Sequence, residues 1–443
     1  MYLPDTCEVL DRRSIVTTPT PLNTSPFTLD TSGVSGFFGG DEAISAMAAV
    51  YIYRGQRWLG WYNTPGSNQI AMQYGRVARS AFFRAFFPGT RTNLTELFGF
   101  EGQQGPRFQA VSSGVILETT GHLASVLIKE CDSINAIPIA GRVGASVGVT
   151  IVRLNTVPSR FCPKRTIAYC TFFGIVPIAS SFAACIASGV YKDWFSFSLI
   201  LWGILSNGVT HLVLGSGILC FSHPVPATGS PPGDGILGTG REFVLLQGDA
   251  GAISSITLGK FSLEFPHKSY DKYIGWCSML LIIQFIAQLF LIPQASLFGQ
   301  IMFIASLAVS WVYNLWLSAY DREEIQRHTF DETLNKPSLE KYILPTRTAA
   351  VVFSLCALSP EDPNKLLEAY LPTDTKVWRK WKETVSRQFC RKEALHFEDK
   401  DWNLPEYSDQ ERTLLRTLYG DTQVAYDGFA SIDSKETPVT KSG

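Results

Sequence analysis

Charge is what this sequence lacks over its longest stretches. Residues 274–320 contain no Asp, Glu, Lys or Arg, and residues 166–221 contain only Lys192 and Asp193. Charged residues make up 17% of the chain, against roughly 25% for typical soluble proteins. Because the shortfall is concentrated in the middle of the chain, it argues against a wholly soluble fold. The net charge of -1 provides no basic field for nucleic acid, which is not expected as a partner. Paired metal-binding cysteines are also missing. The nine cysteines (7, 131, 162, 170, 185, 220, 277, 356, 390) are scattered, with no CxxC or Cys/His cluster at zinc spacing, so neither a metal nor a dense disulfide framework is expected. They read as reduced thiols of a cytosol-facing protein. The first residues, MYLPDTCEVLDRR, lack an apolar h-region, so no cleaved signal peptide is expected. Nucleophile elbow, HExxH, histidine boxes and kinase signatures are likewise missing, and the six histidines are dispersed. The chain therefore leans away from being an enzyme, and no cofactor is expected.

What is there is a set of four apolar runs, at residues 166–190, 195–221, 274–292 and 298–320. Each is long enough to cross a hydrocarbon core at 1.5 Å per residue, with backbone groups paired inside its own helix as lipid demands. Short turns, 191–194 and 293–297, pair them as two transmembrane hairpins, with Trp and Tyr near the ends. The expected fold is therefore an α-helical multi-pass membrane protein, with an α+β N-terminal region and a helical C-terminal region in the cytosol. The divisions read as a disordered 1–35, a cytosolic α+β region 36–165, hairpins 166–221 and 274–320, and a cytosolic loop 222–273 between them. A helical region 321–392 and a mostly disordered tail 393–443 follow. Within 36–165, AISAMAAVYIY (43–53) is helical in pattern but is only about 11 residues long, short of the roughly 20 that a span needs. GVILET, NAIPIA and GVTIVRL read as strands, with a helix at 122–131.

Lys and Arg near the span ends set the expected sidedness. Arg153, Arg160, Lys164 and Arg165 precede the first span, Lys260, Lys268 and Lys272 the third, and Arg322, Arg327 and Lys336 follow the fourth. The opposite side has only Lys192. Both termini and the long loop are expected in the cytosol, with the sequons at Asn23 and Asn93 left unglycosylated.

The runs GWCSMLLIIQFIAQLFLIPQASLFGQIMFIASLAVSWVYNLWLS (275–318) and LLEAYLPTDTKVWRKWKE (366–383) resemble a group of fungal multi-pass membrane proteins with no assigned function. The resemblance covers about half the chain. It implies a membrane location and brings no catalytic residues.

Four candidate sites follow from residue type and spacing. Gly233-Asp234-Gly235-Ile236-Leu237-Gly238 is formally GxGxxG, but Pro231-Pro232 precede it where a phosphate cradle needs a strand. It reads as a flexible connector leading into a β–α–β element at 242–264, whose helix Asp249 caps. Asn207 with His211, Gln284 with Gln288, and Asn314 are polar side chains inside the spans. The i, i+4 pairs share a helix face and would line a path or, as favoured here, bond neighbouring helices. Cys162, beside Lys164 and Arg165, is a palmitoylation candidate. Lys376, Trp378, Arg379, Lys380 and Trp381 mark a basic helix suited either to anionic lipid or to docking on the cytosolic domain. Ser408–Glu411 is a capping box opening a short helix that Gly420 should end. The chain thus reads as a non-enzymatic membrane-anchored interaction or scaffold protein. An oligomeric channel or transporter is the alternative, with a membrane-embedded lipid-modifying enzyme after it. The expected partners are the bilayer, anionic lipid and further copies of the chain.

Overall fold

The computed structural model describes Leu22 and residues 36–162, 170–238, 240, 242–267 and 269–436. The expected disorder of 1–35, apart from Leu22, lies outside these. In chain order the helices begin with α1 (Gly40–Ala46), α2 (Ala49–Ile52), α3 (Ser67–Val77), α4 (Ala81–Phe86), α5 (Leu94–Leu97) and α6 (His122–Ser133). Next come α7 (Cys170–Phe173), α8 (Ile175–Val190), α9 (Trp194–Leu214), α10 (Ala250–Leu258), α11 (Tyr270–Leu291) and α12 (Leu297–Thr333). Last are α13 (Arg347–Leu358), α14 (Pro363–Tyr370), α15 (Lys376–Cys390), α16 (Asp399–Trp402) and α17 (Asp409–Glu436).

The chain divides into two compact units. The first comprises Met1–Asn93, Arg165–Gly217 and Phe265–Asp321. It holds four helical stretches long and apolar enough to cross a membrane: Thr171–Val190, Trp194–Leu214, Tyr270–Gln294 and Leu297–Ala319. Their outward surface is apolar, with Phe173, Ile186, Trp202, Ile283, Phe290 and Val312 all exposed, as a lipid-facing surface would be. Pro177 does not kink its helix midway. It sits in the first turn of α8, where its missing N–H costs nothing, and the break falls upstream at Gly174, between α7 and α8. Asp193, 7% exposed, joins the starts of two helices. Its Oδ1 accepts from Ser196 N at 3.2 Å, capping α9, and its Oδ2 accepts from Ser296 N at 2.8 Å, just before α12.

The stretch 36–165, expected as one region, is divided at Asn93. Residues 36–87 pack among the apolar helices, with α3 lying along α11. Beyond Asn93 the chain belongs to the second unit, made of Leu94–Lys164, Ile218–Glu264 and Arg322–Gly443. Its strands are β1 (Arg107–Ala110), β2 (Ile116–Leu117), β3 (Ile137–Pro138), β4 (Val147–Arg153), β5 (Arg160–Phe161), β6 (Ile218–Ser222), β7 (Gly235–Gly238), β8 (Glu242–Gln247), β9 (Lys260–Glu264) and β10 (Ser338–Leu344). A seven-stranded mixed sheet runs β2-β1-β7-β8-β4-β10-β3, with β4 parallel to β8 and antiparallel to β10. A second sheet runs β5-β6-β9. Residues 242–264 do form strand, helix and strand, but β8 and β9 join different sheets. Asp249 stands at the start of α10 without a side-chain cap bond, accepting instead from Thr156 Oγ1 at 2.8 Å.

β4 and β8 are buried on both faces, which is why GVTIVR and EFVLLQ are apolar without alternation. One face carries α13, too short to be a span and buried at ten of its twelve positions. Around it pack Leu367, Trp381, Val385, Leu395, Leu415 and Tyr419. The region expected as a disordered tail is therefore core-forming, and the Ser408/Glu411 capping box opens a 28-residue helix, α17. Gly420 lies inside α17 rather than ending it. Its cost of about 1 kcal/mol relative to Ala is outweighed by burial of Leu418, Tyr419 and Ala425 on either side.

A buried carboxylate locks α17 to α13. Asp421, 3% exposed, accepts from Arg142 Nε at 2.8 Å and Nη2 at 2.9 Å, and from Thr346 Oγ1 at 3.0 Å. Thr346 also caps α13 at Ala349 N. Arg142→Ala strands the carboxylate on one neutral donor and should lower stability by about 2–4 kcal/mol. Thermal unfolding of the detergent-solubilised protein measures this, and an unchanged midpoint would contradict the role given to the pair.

Candidate functional site

The polar side chains inside the apolar helices converge on one partner, the segment from Gly60 to Ser67. Asn207 Nδ2 donates to Gly60 O at 2.8 Å and Tyr62 O at 3.2 Å. Asn314 accepts from Tyr62 OH at 2.9 Å. Asn63 N donates to Ser181 Oγ and Asn63 Nδ2 to Ser306 Oγ, both at 3.0 Å. Ser67 Oγ donates to Gln288 Oε1 at 3.3 Å. Gln284 accepts from Ser206 Oγ on the neighbouring helix. Four of the five polar positions expected from sequence thus bond this segment or a neighbouring helix. The fifth, His211, packs against Gly60 and edge-on to Tyr62, and its Nδ1 is buried with no hydrogen-bond partner.

The segment lies deep. Ser181 is nine residues from Val190, Gly203 nine from Trp194, and Ser306 nine from Leu297. At 1.5 Å per residue, Asn63 sits roughly 14 Å from one end of each helix, well inside the helical unit. Non-helical backbone buried away from water must be satisfied by protein, which is what the Asn and Ser side chains do.

Glycines make the room. A methyl on Gly203 would run into Asn63 Oδ1, one on Gly208 into the Trp61 indole, and one on Gly215 into Arg57 and Val50. These small residues of α9 form the groove in which residues 57–63 lie. Asn63 Oδ1 and Gln284 Nε2, an acceptor and a donor both without partners, meet at the same glycine.

The remaining candidates separate. Gly235–Gly238 is strand β7, bonded to β1 and β8, which corrects the reading of a flexible connector and leaves no phosphate cradle. Cys162 is joined to Cys220 as a disulfide, so its thiol is not free for an acyl chain. The register pairing Arg160 with Ser222 and Phe161 with Phe221 sets the two cysteines opposite each other. On α15, Trp381 is fully buried, its Nε1 donating to Thr422 Oγ1 at 3.0 Å, and Trp378 packs against it. The tryptophan face is covered by protein, because Val377, Trp381 and Val385 fall on one helix side and complete the core beside α17. Lys376 lies over the Tyr407 ring and Arg379 pairs with Asp374 at 3.0 Å. Lys380 is half-buried.

Reactive chemistry is sparse in the second unit. Burial pushes the Cys131 and Cys356 thiols up to about 12, so both stay protonated at physiological pH. Lys341 is buried against Glu242 at 3.1 Å and the Cys131 carbonyl at 3.2 Å, an ion pair closed within the sheet face. Among the described residues no group of three His, Cys, Asp or Glu could hold a metal. Open cavities among the described residues include one of about 730 Å³ beside edge strand β3, lined by Ile137, Tyr342, Val424 and Ile432, and one of about 400 Å³ beside Lys365 and Tyr370.

The class these features define is a helical protein with four candidate membrane spans, a polar segment filling their interior, and a separate sheet-bearing unit. No family model, curated protein or solved structure matches the chain.

Gly203→Ala should destabilise the protein by about 1–3 kcal/mol through overpacking, and much of that penalty should disappear in an Asn63→Ala background. Unfolding in mixed micelles measures both, and equal penalties in the two backgrounds would break the link.

Proposed function

We propose that the chain is a multi-pass integral membrane protein whose four spans pair as two hairpins around an inserted segment, acting as a closed anchor. Its activity is non-enzymatic interaction or scaffolding by the sheet-bearing unit. The observation that supports this best is that Asn207, Gln284, Gln288 and Asn314 spend their hydrogen bonds on the 60–67 segment and on Ser206. A pore would need those groups facing water. The unit outside the spans supplies an exposed edge at β3, where Ile137 is 58% exposed beside the larger cavity, a surface of the kind that proteins pair with. Basic flanks Arg153, Arg160, Lys260 and Lys272 support a cytosolic face for this unit, and the Cys162–Cys220 bond supports an oxidising one.

The test has two arms. Purified protein in liposomes should pass ions and small solutes no faster than empty vesicles. A photo-crosslinking residue at Ile137, introduced in native membranes, should give a discrete protein adduct. Flux abolished by Asn207→Leu with Gln284→Leu would favour the oligomeric channel, and labelling of lipid alone at Ile137 would overturn the interaction reading.

A further inference from the structure

Three chain positions identify one face of the helical unit. The end of α9 and the start of α11 lie together: Tyr51 OH donates to Leu214 O at 3.0 Å, Gly217 lies against Tyr51 and Phe265, and Phe265 stacks on Tyr270 at 4.4 Å. Arg79 pairs with Asp271 at that same end, and Phe82 and Phe83 pack on Trp276. From Phe87, which packs on Gly75, only six residues lead to Asn93. Their extended reach is roughly 20 Å, too short to recross a core of roughly 30 Å, and Arg91 among them is exposed. Cys220 likewise follows Leu214 by six residues. Asn93 and the Cys162–Cys220 bond are therefore on one side of the bilayer, given the proposed reading that these helices span it.

That side has a chemical signature. The two thiols form their bond by giving two electrons and two protons to a dithiol–disulfide oxidant, whose own disulfide is reduced. Such bonds persist in secretory and extracellular compartments and are rare in the cytosol. The basic flanks argue the other way, but they bias insertion, whereas the disulfide requires a compartment. Asn93 begins the sequon Asn93-Leu94-Thr95, and it is exposed in irregular backbone immediately before α5. This is the surface-loop setting that glycosylation requires.

We propose that Asn93 is an N-glycan acceptor on an exocytoplasmic face shared with the Cys162–Cys220 cross-strand disulfide. Its side-chain Nδ2 bonds to the anomeric carbon of a lipid-pyrophosphate-linked oligosaccharide. The sugar's C1–O bond to pyrophosphate breaks, the lipid pyrophosphate leaves, and the amide nitrogen loses one proton. The full chain, expressed in eukaryotic cells, should lose mass by one glycan on glycosidase treatment. Asn93→Gln and Thr95→Ala should abolish that shift, and Thr95→Ser, which keeps the sequon, should retain it. Cys162 and Cys220 should resist alkylation until reduced. A chain with no glycosidase shift, or a shift removed only by Asn23→Gln, overturns the proposal. Extraction at alkaline pH separates the two readings: protein that stays in the membrane pellet without a glycan refutes the acceptor alone, and protein released to the supernatant refutes the spans beneath it.

Discussion

The constraint on which this molecule depends is the need to pair backbone polar groups where no water reaches. Helices α8, α9, α11 and α12 meet it internally, but residues 60–66 do not form a helix and lie about halfway along those helices. An unbonded peptide group in apolar surroundings costs several kcal/mol, so the segment is tolerable only because Asn207 bonds the carbonyls of Gly60 and Tyr62 and Ser181 bonds the Asn63 amide. The dependence runs both ways. Without the segment, Asn207, Gln288 and Asn314 would be orphaned among Leu, Ile and Phe. Each contact is worth roughly 0.6 kcal/mol on average in such a setting, so the set fixes position more than it stabilises.

Packing enforces the same arrangement. Gly203, Gly208 and Gly215 leave a groove along α9 that admits the backbone of residues 57–63, and Gly60 answers by admitting His211. At the opposite end of the helices, Asp193 bonds the approaches to both α9 and α12. One carboxylate thus sets the spacing of two helix starts, with its charge offset by two helix N-termini. In the other unit, Asp421 plays a comparable part, tying α17 to the Thr346 cap of α13 and to Arg142. Both carboxylates are buried and hydrogen-bonded, and each joins pieces far apart in sequence.

This division explains what could be read from the sequence. The four long helices were legible because some twenty consecutive uncharged residues have few other solutions. β4, β8 and α6 were legible from β-branched runs and apolar periodicity. The 36–87 segment was not, because its first apolar run is half the length of a span and its polar residues, Tyr62, Asn63, Thr64 and Ser67, look like a surface turn. The one available hint was the complementary stripe, Gly203, Gly208 and Gly215 on a helix already bearing Asn207 and His211. The Cys162–Cys220 bond joins residues 58 apart, and only the β5–β6 register brings them opposite each other. Trp378 and Trp381 on a basic helix resemble a lipid-binding face until α17 is seen to cover Trp381, and Gly420 reads as a helix end although α17 runs through it. Local propensity in these cases was outvoted by burial, which the sequence does not display.

The location of unused chemistry follows from the same accounting. Inside the helical unit, Asn207, Gln288 and Asn314 bond the 60–67 segment and Gln284 accepts from Ser206. This leaves the His211 Nδ1, Asn63 Oδ1 and Gln284 Nε2 atoms buried without partners. In the sheet-bearing unit the thiols of Cys131 and Cys356 are held protonated by burial, and Lys341 is neutralised by Glu242. Open features of the surface include the edges of the seven-stranded sheet at β2 and β3, the cavity between β3 and α17, the one beside Lys365 and Tyr370, and the exposed loop at Asn93. Edge strands are normally blunted by charge or proline. Pro138 does this on β3, but Ile137 beside it is apolar and uncovered, so the exposed polar backbone and apolar contact needed to hold another chain are found together at that edge.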